Sequence, residues 1–577
     1  MHYQLSYHSP HKQLIYIRFE INISQKETIE LHIPAWRPGK YELQHYAKNI
    51  INFRAVDDKN NLLAWEKTNR NTWQIKNVNR NIAIVTYAYF ASQMDAGGSW
   101  LDEFQFYINP INCLMYVKEL ENEVHTVEID LPDHYRIASG LPFSGRNTLV
   151  ANSYLHLADS PIIASKILQN HTFEIHKIPI TISILGECEP NWQIVEHDFA
   201  HFIQLQIDLF GSFPEKDYHF LIFILPYPYF HGVEHRNSTV MTLGPDVDFH
   251  APSFYNRLLG LACHEFFHTW NICKIRPKEM LPYNLSKENY FPTGFVAEGV
   301  TTYYGDLILL KSGVWNTQSY FEELNDCINM HFSNSARHTV SLVQSSIDLW
   351  VDGYQKTHPN RKVSIYDKGA IVALILDLEI RKLSQNLKSL DDAMQLIWQR
   401  FGQAATGYTI NDYKSIAQEM AGDSLEKYFD DCIFGTLPLE RIVAKSLDYI
   451  GCVLNISHPE DILAQKFGLK LRKEFGKWAI DALAQSSPAD KQLSEKDEII
   501  SVNQLVDPKD WQKLHDKQMI SISINRAGRK LTKNLISDSG SYFPVYAVKQ
   551  NKNATVAQKE NFSLWSRAYN RNGVIAQ

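Results

Sequence analysis

The chain has 577 residues, more than one hydrophobic core organises, so three or four folding units are expected. Its 44% hydrophobic and 21% charged residues are those of a globular protein, and a net charge of −7 without a long basic run argues against nucleic-acid or anionic-membrane binding. No apolar run approaches the roughly 18 residues that span a bilayer, the N-terminus lacks a signal-peptide pattern, and the scattered cysteines form no disulfide framework, so a cytoplasmic, reducing setting is expected.

Residues 1–165 read as short strands. Segments 12–23, 28–34, 72–75, 82–90 and 124–131 are rich in Ile, Tyr, Thr and Val and punctuated by Asn, Gly and Pro, which predicts an all-β domain. Residues 33–41 (IPAWRPGKY) read as a rigid aromatic turn, a structural corner. The Gly- and aromatic-rich stretch 94–109 borders a site without any assignable residue. Further strands are predicted at 173–185, 202–206 and 219–225, and helices after Phe254. That order is a small sheet followed by helices.

On the first of these helices stands His264-Glu265-Phe266-Phe267-His268. Histidines four apart share a helix face and can hold a divalent metal, which zinc accepts readily. Glu265 lies about 100° round the helix, placed to act as general base on a metal-bound water without ligating. A third ligand is expected from Glu298, on a second helix reached through Pro277, Pro282 and Pro292. Three protein ligands leave a position open for water, as catalysis requires. Cys263 is read as a buried thiol, Asn271 as a helix C-cap, and Tyr303 and Tyr304 as packing; Thr302, one turn past Glu298, is placed to orient a histidine ligand.

Downstream, 310–334 reads as helical and 338–362 as an irregular aromatic loop (Trp350, Tyr354, Pro359) walling a cleft. An apolar helix follows to about residue 383, and helices at 390–401, 410–421 and 425–434 close a bundle near Leu447. The polar stretch 551–562 is a candidate loop.

The segments HEFFHTWN (264–271) and AEGVTTYYGD (297–306) resemble the PDZ-containing glycyl aminopeptidase family, gluzincin metallopeptidases related to aminopeptidase N. The resemblance extends over nearly the whole chain, and residues 33–41 resemble the family's N-terminal signature. In aminopeptidase N relatives an edge strand reads GxMEN, and its glutamate binds the substrate amine. Residues 231–235 (HGVEH) match in part, with His231 for glycine, Val233 for methionine and His235 for asparagine. The resemblance thus implies Glu234 as the fixed negative charge that an exopeptidase needs to seat a free ammonium. Likewise, Tyr366-Asp367-Lys368-Gly369 resembles the YxKG segment whose tyrosine stabilises the oxyanion. Residues 485–489 (QSSPA) and 497–503 (DEIISVN) resemble the bacterial PDZ pattern, with Phe467-Gly468-Leu469 as its carboxylate-binding loop. Gln492 and Lys496 replace two usual glycines, which leaves peptide binding by strand addition open.

The expected fold is multidomain α+β: an N-terminal all-β domain (1–165), a thermolysin-like zinc peptidase domain (166–447), and a PDZ-like domain with a C-terminal segment (448–577). The expected function is that of a gluzincin-type metallo-aminopeptidase with one Zn²⁺ held by His264, His268 and Glu298. Glu265 and Tyr366 are its catalytic residues, and Glu234 binds substrate. The resemblance implies peptides with a free, small N-terminal residue, Gly or Ala, as substrates; nucleic acid and membrane are not expected partners, and homo-oligomerisation stays open. Two alternatives remain: an endopeptidase, which needs no Glu234, and a non-catalytic peptide binder acting through the PDZ-like domain.

Overall fold

Alternation of apolar and polar residues along Leu14–Asn22 turns Ile15, Ile17, Phe19 and Ile21 to one face, where all four are buried. The computed structural model describes residues 1–22, 27–76, 81–354, 361–474 and 476–567. Leu14–Asn22 is central to a six-stranded sheet ordered Thr148–Ala151, His125–Ile129, His2–Ser6, Leu14–Asn22, Ile82–Phe90, Ile50–Asp57. Its partner Ile82–Phe90 runs antiparallel in the register Ile17 to Tyr87. A three-stranded sheet (Thr28–His32, Thr72–Lys76, Trp65–Asn69) and a five-stranded one complete this β-rich region. Tyr3 stacks on Phe19 in its core, ring centroids 4.2 Å apart.

A mixed sheet follows, built of β1 (Gln169–Ile175), β2 (Ile178–Leu185), β3 (Tyr218–Ile224), β4 (Tyr229–Glu234) and β5 (Ser238–Gly244) in the order β1-β2-β3-β5-β4. The expected strand at 173–185 is a hairpin, turned at His176 and Lys177, both with positive φ. The expected strand at 202–206 instead lies inside helix α1 (Trp192–Phe210). Phe199, Phe202, Ile203, Gln206 and Phe210 are buried at helical spacing, Asn191 caps the N-terminus, and Gly211 (φ 77°) ends the helix.

The helical region contains α2 (Pro252–Phe267), α3 (Thr301–Lys311) with a π-helical turn before it (Phe295–Val300), α4 (Thr317–Ser333), α5 (Leu342–Asp352) and α6 (Asp367–Leu383). Helix α5 corrects the expectation of an irregular loop at 338–362. Ser341 caps it by accepting from Gln344 N, and Gly353 stops it. Trp350 is buried on that helix, and Pro359 lies outside the described residues.

Near the C-terminus a five-stranded antiparallel sheet (Leu469–Glu474, Lys477–Leu483, Glu498–Val502, Met519–Arg526, Arg529–Ile536) encloses its own core of Phe467, Ile480, Ile520, Ile522 and Ile524. The chain then returns to the helical region: Val545–Gln550 pairs with Cys452–Ser457, and helix Val556–Ser566 inserts Trp565. The loop expected at 551–562 is thus mostly helix, opened by a Thr555/Gln558 capping box. Among the described residues no helix is long and apolar enough to cross a membrane.

Candidate active site

Pro252 at the first position fixes the start of α2, and its last turn carries the HExxH residues. His264 and His268 face one another with Nε2 atoms 3.1 Å apart. His268 Nδ1–H donates to the Asn271 carbonyl at 2.9 Å, which turns its Nε2 toward the site, and against burial the carboxylates of Glu298 and Glu234 hold the imidazole up at about 10. Burial pushes the His264 imidazole down to about 3, keeping it neutral. Gly305 on α3 lets that helix approach α2 closely, because a side chain there would press on His264.

The π-helical turn delivers Glu298. Its Oε2 lies 3.4 Å from His268 Nε2 and 3.9 Å from His264 Nε2. The other oxygen, Oε1, accepts from the Tyr41 hydroxyl at 2.7 Å. Gly299 on this turn meets Gly369 of α6 at a distance no side chain would allow. The C-cap of α2 is His268 and not, as expected, Asn271, whose Nδ2 instead donates to Val296 O of the π turn at 2.7 Å and to Thr301 Oγ1 of α3 at 2.9 Å. Thr302 departs from expectation. Its hydroxyl donates to the Glu298 carbonyl at 2.9 Å, one turn back along its own helix.

Two buried carboxylates stand beside the histidines. One ligand atom each from Glu234, Glu265 and His268 lie within 4.8 Å of one another, as do those of His264, His268 and Glu298. Burial pushes the Glu265 carboxyl up to about 8 and that of Glu234 up to about 7, against the pull of His268. Glu265 fits over Gly232 of β4, where any side chain would collide with Oε1. Glu234 ends the edge strand β4, and its Oε2 occupies the space over Gly39 (φ 78°). Behind it, the Asp159 carboxylate accepts from His235 Nδ1 at 2.9 Å and Arg236 N at 3.0 Å.

Tyr366, at the start of α6, lies over His264 with ring centroids 6.5 Å apart. Its hydroxyl is 3.4 Å from that of Tyr354. Cys263 is buried away from the site against Gln206, which donates to its carbonyl at 2.9 Å. Tyr303 and Tyr304 donate to Asp377 and Asp391 at 2.7 and 2.8 Å, clear of the histidines.

The structure thus brings together His264, Glu265, His268, Glu298, Glu234 and Tyr366. Sequence reasoning missed Tyr41 and Asp159. The aromatic-proline-glycine signal of residues 33–41 marked the first as a corner, and no local pattern marked the second.

Zinc with bonds of about 2.0–2.1 Å sets tetrahedral donors roughly 3.3 Å apart. The donor spacings here, 3.1, 3.4 and 3.9 Å, fit that group, as do the two imidazoles and one carboxylate that supply them. Such a trio, with a further buried glutamate on the same helix and a sheet edge alongside, is the arrangement of an HExxH-type metallopeptidase. Residues 2–166 match the M61 peptidase N-terminal domain, and residues 257–372 match the M61 glycyl aminopeptidase domain. The chain belongs to the M61 glycyl aminopeptidase family and is a zinc-dependent aminopeptidase.

Its fold is that of an aminopeptidase N family protein from Idiomarina loihiensis, with a TM-score of 0.90 at 24% identity over 98% of this chain and 99% of the other. An M1 zinc metallopeptidase mutant from Deinococcus radiodurans, bound to a Tyr-Ser-Ala substrate, is 14% identical at a TM-score of 0.49, covering 76% of this chain and 94% of its own. No curated protein matches the chain.

Proposed function

We propose that the chain removes a single small N-terminal residue, Gly or Ala, from peptides, with one Zn²⁺ held by His264, His268 and Glu298. The observation that carries this reading is the placement of two buried carboxylates, Glu265 and Glu234, within 4.8 Å of the His268 ligand atom. Zinc, when bound, polarises the scissile carbonyl and lowers the pKa of its water. Glu265 takes a proton from the attacking water and returns it to the departing amine. Glu234 receives the substrate ammonium, which sets the first peptide bond over the ligand trio. The Tyr366 hydroxyl donates to the carbonyl oxygen as it gains charge.

We read residues 1–165, 166–447 and 448–577 as the β domain, the thermolysin-like peptidase domain and the PDZ-like domain with its C-terminal segment. Burial of Ser487 and Ala489 beside Gly468 (φ 70°) supports the PDZ-like reading. A reducing, cytoplasmic setting is supported by seven cysteines that are all unpaired.

The test compares zinc-loaded protein on Gly- and Ala-anilides with the same substrates N-acetylated. The expected result is cleavage of the free-amine forms alone, lost with chelator. Equal cleavage of both would make the protein an endopeptidase. Peptide binding without hydrolysis of either would move the function to the PDZ-like sheet.

A further inference from the structure

All three candidate zinc ligands lie in the helical region, yet one hydrogen bond to them crosses 257 residues of sequence. Tyr41 sits in the turn that follows Thr28–His32, in the β-rich region. That turn is fastened to the helical region independently of the site. Ala35 N donates to Leu285 O at 2.7 Å, and Trp36 Nε1 donates to Asn284 O at 2.6 Å. The Trp36 ring meets Trp350 edge-on at 5.1 Å. Tyr41 itself packs on Phe291 at 5.2 Å and is fully buried. The phenol is therefore held by its packing before it reaches Glu298.

The two Glu298 oxygens divide their work. Oε2 faces both histidines, and Oε1 accepts from Tyr41. A carboxylate on a flexible stem can rotate, present both oxygens to a metal, or swing away. A charge-assisted hydrogen bond to one oxygen removes those options. We propose that Tyr41 is a positioning residue of the zinc site, its hydroxyl holding Glu298 so that a single oxygen is offered to the metal. The β-rich region is then part of the metal centre, and the turn at residues 36–41 serves the site twice, because Gly39 also makes the space that Glu234 occupies. This proposal rests on the reading of His264, His268 and Glu298 as the ligands.

The experiment is a chelator competition for zinc with the full chain, comparing wild type, Tyr41→Phe, His268→Ala and Glu298→Ala. Tyr41→Phe keeps the ring and its packing and removes only the donor. Its zinc affinity is expected to fall roughly 10- to 100-fold, while the metal-free variant stays folded at the assay temperature, its melting point lowered only by the one lost buried hydrogen bond. With cobalt in place of zinc, its visible spectrum should shift as the freed carboxylate changes its coordination. Wild-type zinc affinity and an unchanged cobalt spectrum in Tyr41→Phe, alongside loss of metal in the two ligand variants, would overturn the role of Tyr41. Full zinc retention in His268→Ala and Glu298→Ala would instead overturn the ligand assignment beneath it.

Discussion

Asp159 grips the strand end that presents Glu234, through His235: the carboxylate accepts from His235 Nδ1 at 2.9 Å and, with its other oxygen, from Arg236 N at 3.0 Å. His235 is 3% exposed, so its imidazole is sheltered from water on all sides but that of the partly exposed Asp159. Asp159→Ala should let the end of β4 relax and move the Glu234 carboxylate off the ammonium position. Losing such a buried pairing costs about 1–3 kcal/mol, so KM for Gly- and Ala-anilides should rise roughly 10-fold or more, with zinc content unchanged. An unaltered KM would show that Glu234 is held in place without Asp159.

Glu265 lies in a slot formed by Gly232 and receives a 3.5 Å contact from Thr239 Oγ1 on Oε2. Glu265→Gln fits the same slot and cannot accept a proton. It should bind zinc one-to-one and lose roughly 10²- to 10⁴-fold in kcat. Loss of zinc together with activity would make Glu265 a ligand and remove it as the base.

For Tyr366 the prediction divides kcat from KM. The ring is packed near His264, and only the hydroxyl can act on developing charge. Tyr366→Phe should lower kcat roughly 10²- to 10³-fold with KM close to wild type, in steady-state assays at saturating zinc. A raised KM with kcat preserved would assign the phenol to substrate binding in the ground state.

The cluster of His264, His268 and Glu298 was legible as a candidate zinc site because its signal is local and periodic. His264 and His268 are one helical turn apart, and Glu298 needs only a second helix. Tyr41 was illegible for the opposite reason: its partner is 257 residues away, and the Trp-Pro-Gly context that positions it is the same chemistry that makes an ordinary corner. Within residues 202–206 (FIQLQ) the last four positions alternate like a strand, and only the full Trp192–Phe210 window shows the helical period. Helix Val556–Ser566 buries Trp565 alone, so no apolar stripe announced it. Thr302 was expected to face a histidine, but its hydroxyl had a nearer acceptor in the backbone of its own helix.

The last prediction concerns acid stability and involves no metal ligand. His331 on α4 is 3% exposed. Burial first, then the cations Lys368, Arg337 and His338, push its imidazole down to about 3. In the unfolded chain it titrates near 6.5. Between those values the unfolded chain binds a proton that the folded one refuses, so stability rises with pH across the window and is lost as pH falls from 6.5. The slope reaches about 1.4 kcal/mol per pH unit for one such group. His331→Gln removes that proton, while every other titrating group, the candidate zinc ligands included, is common to both proteins and cancels in the difference. Urea midpoints measured from pH 6.5 to 4.5 should therefore converge or cross, with the variant gaining on the wild type as the solution becomes more acid. Parallel curves would mean that His331 takes up its proton equally in both states, and that its burial is relieved on protonation.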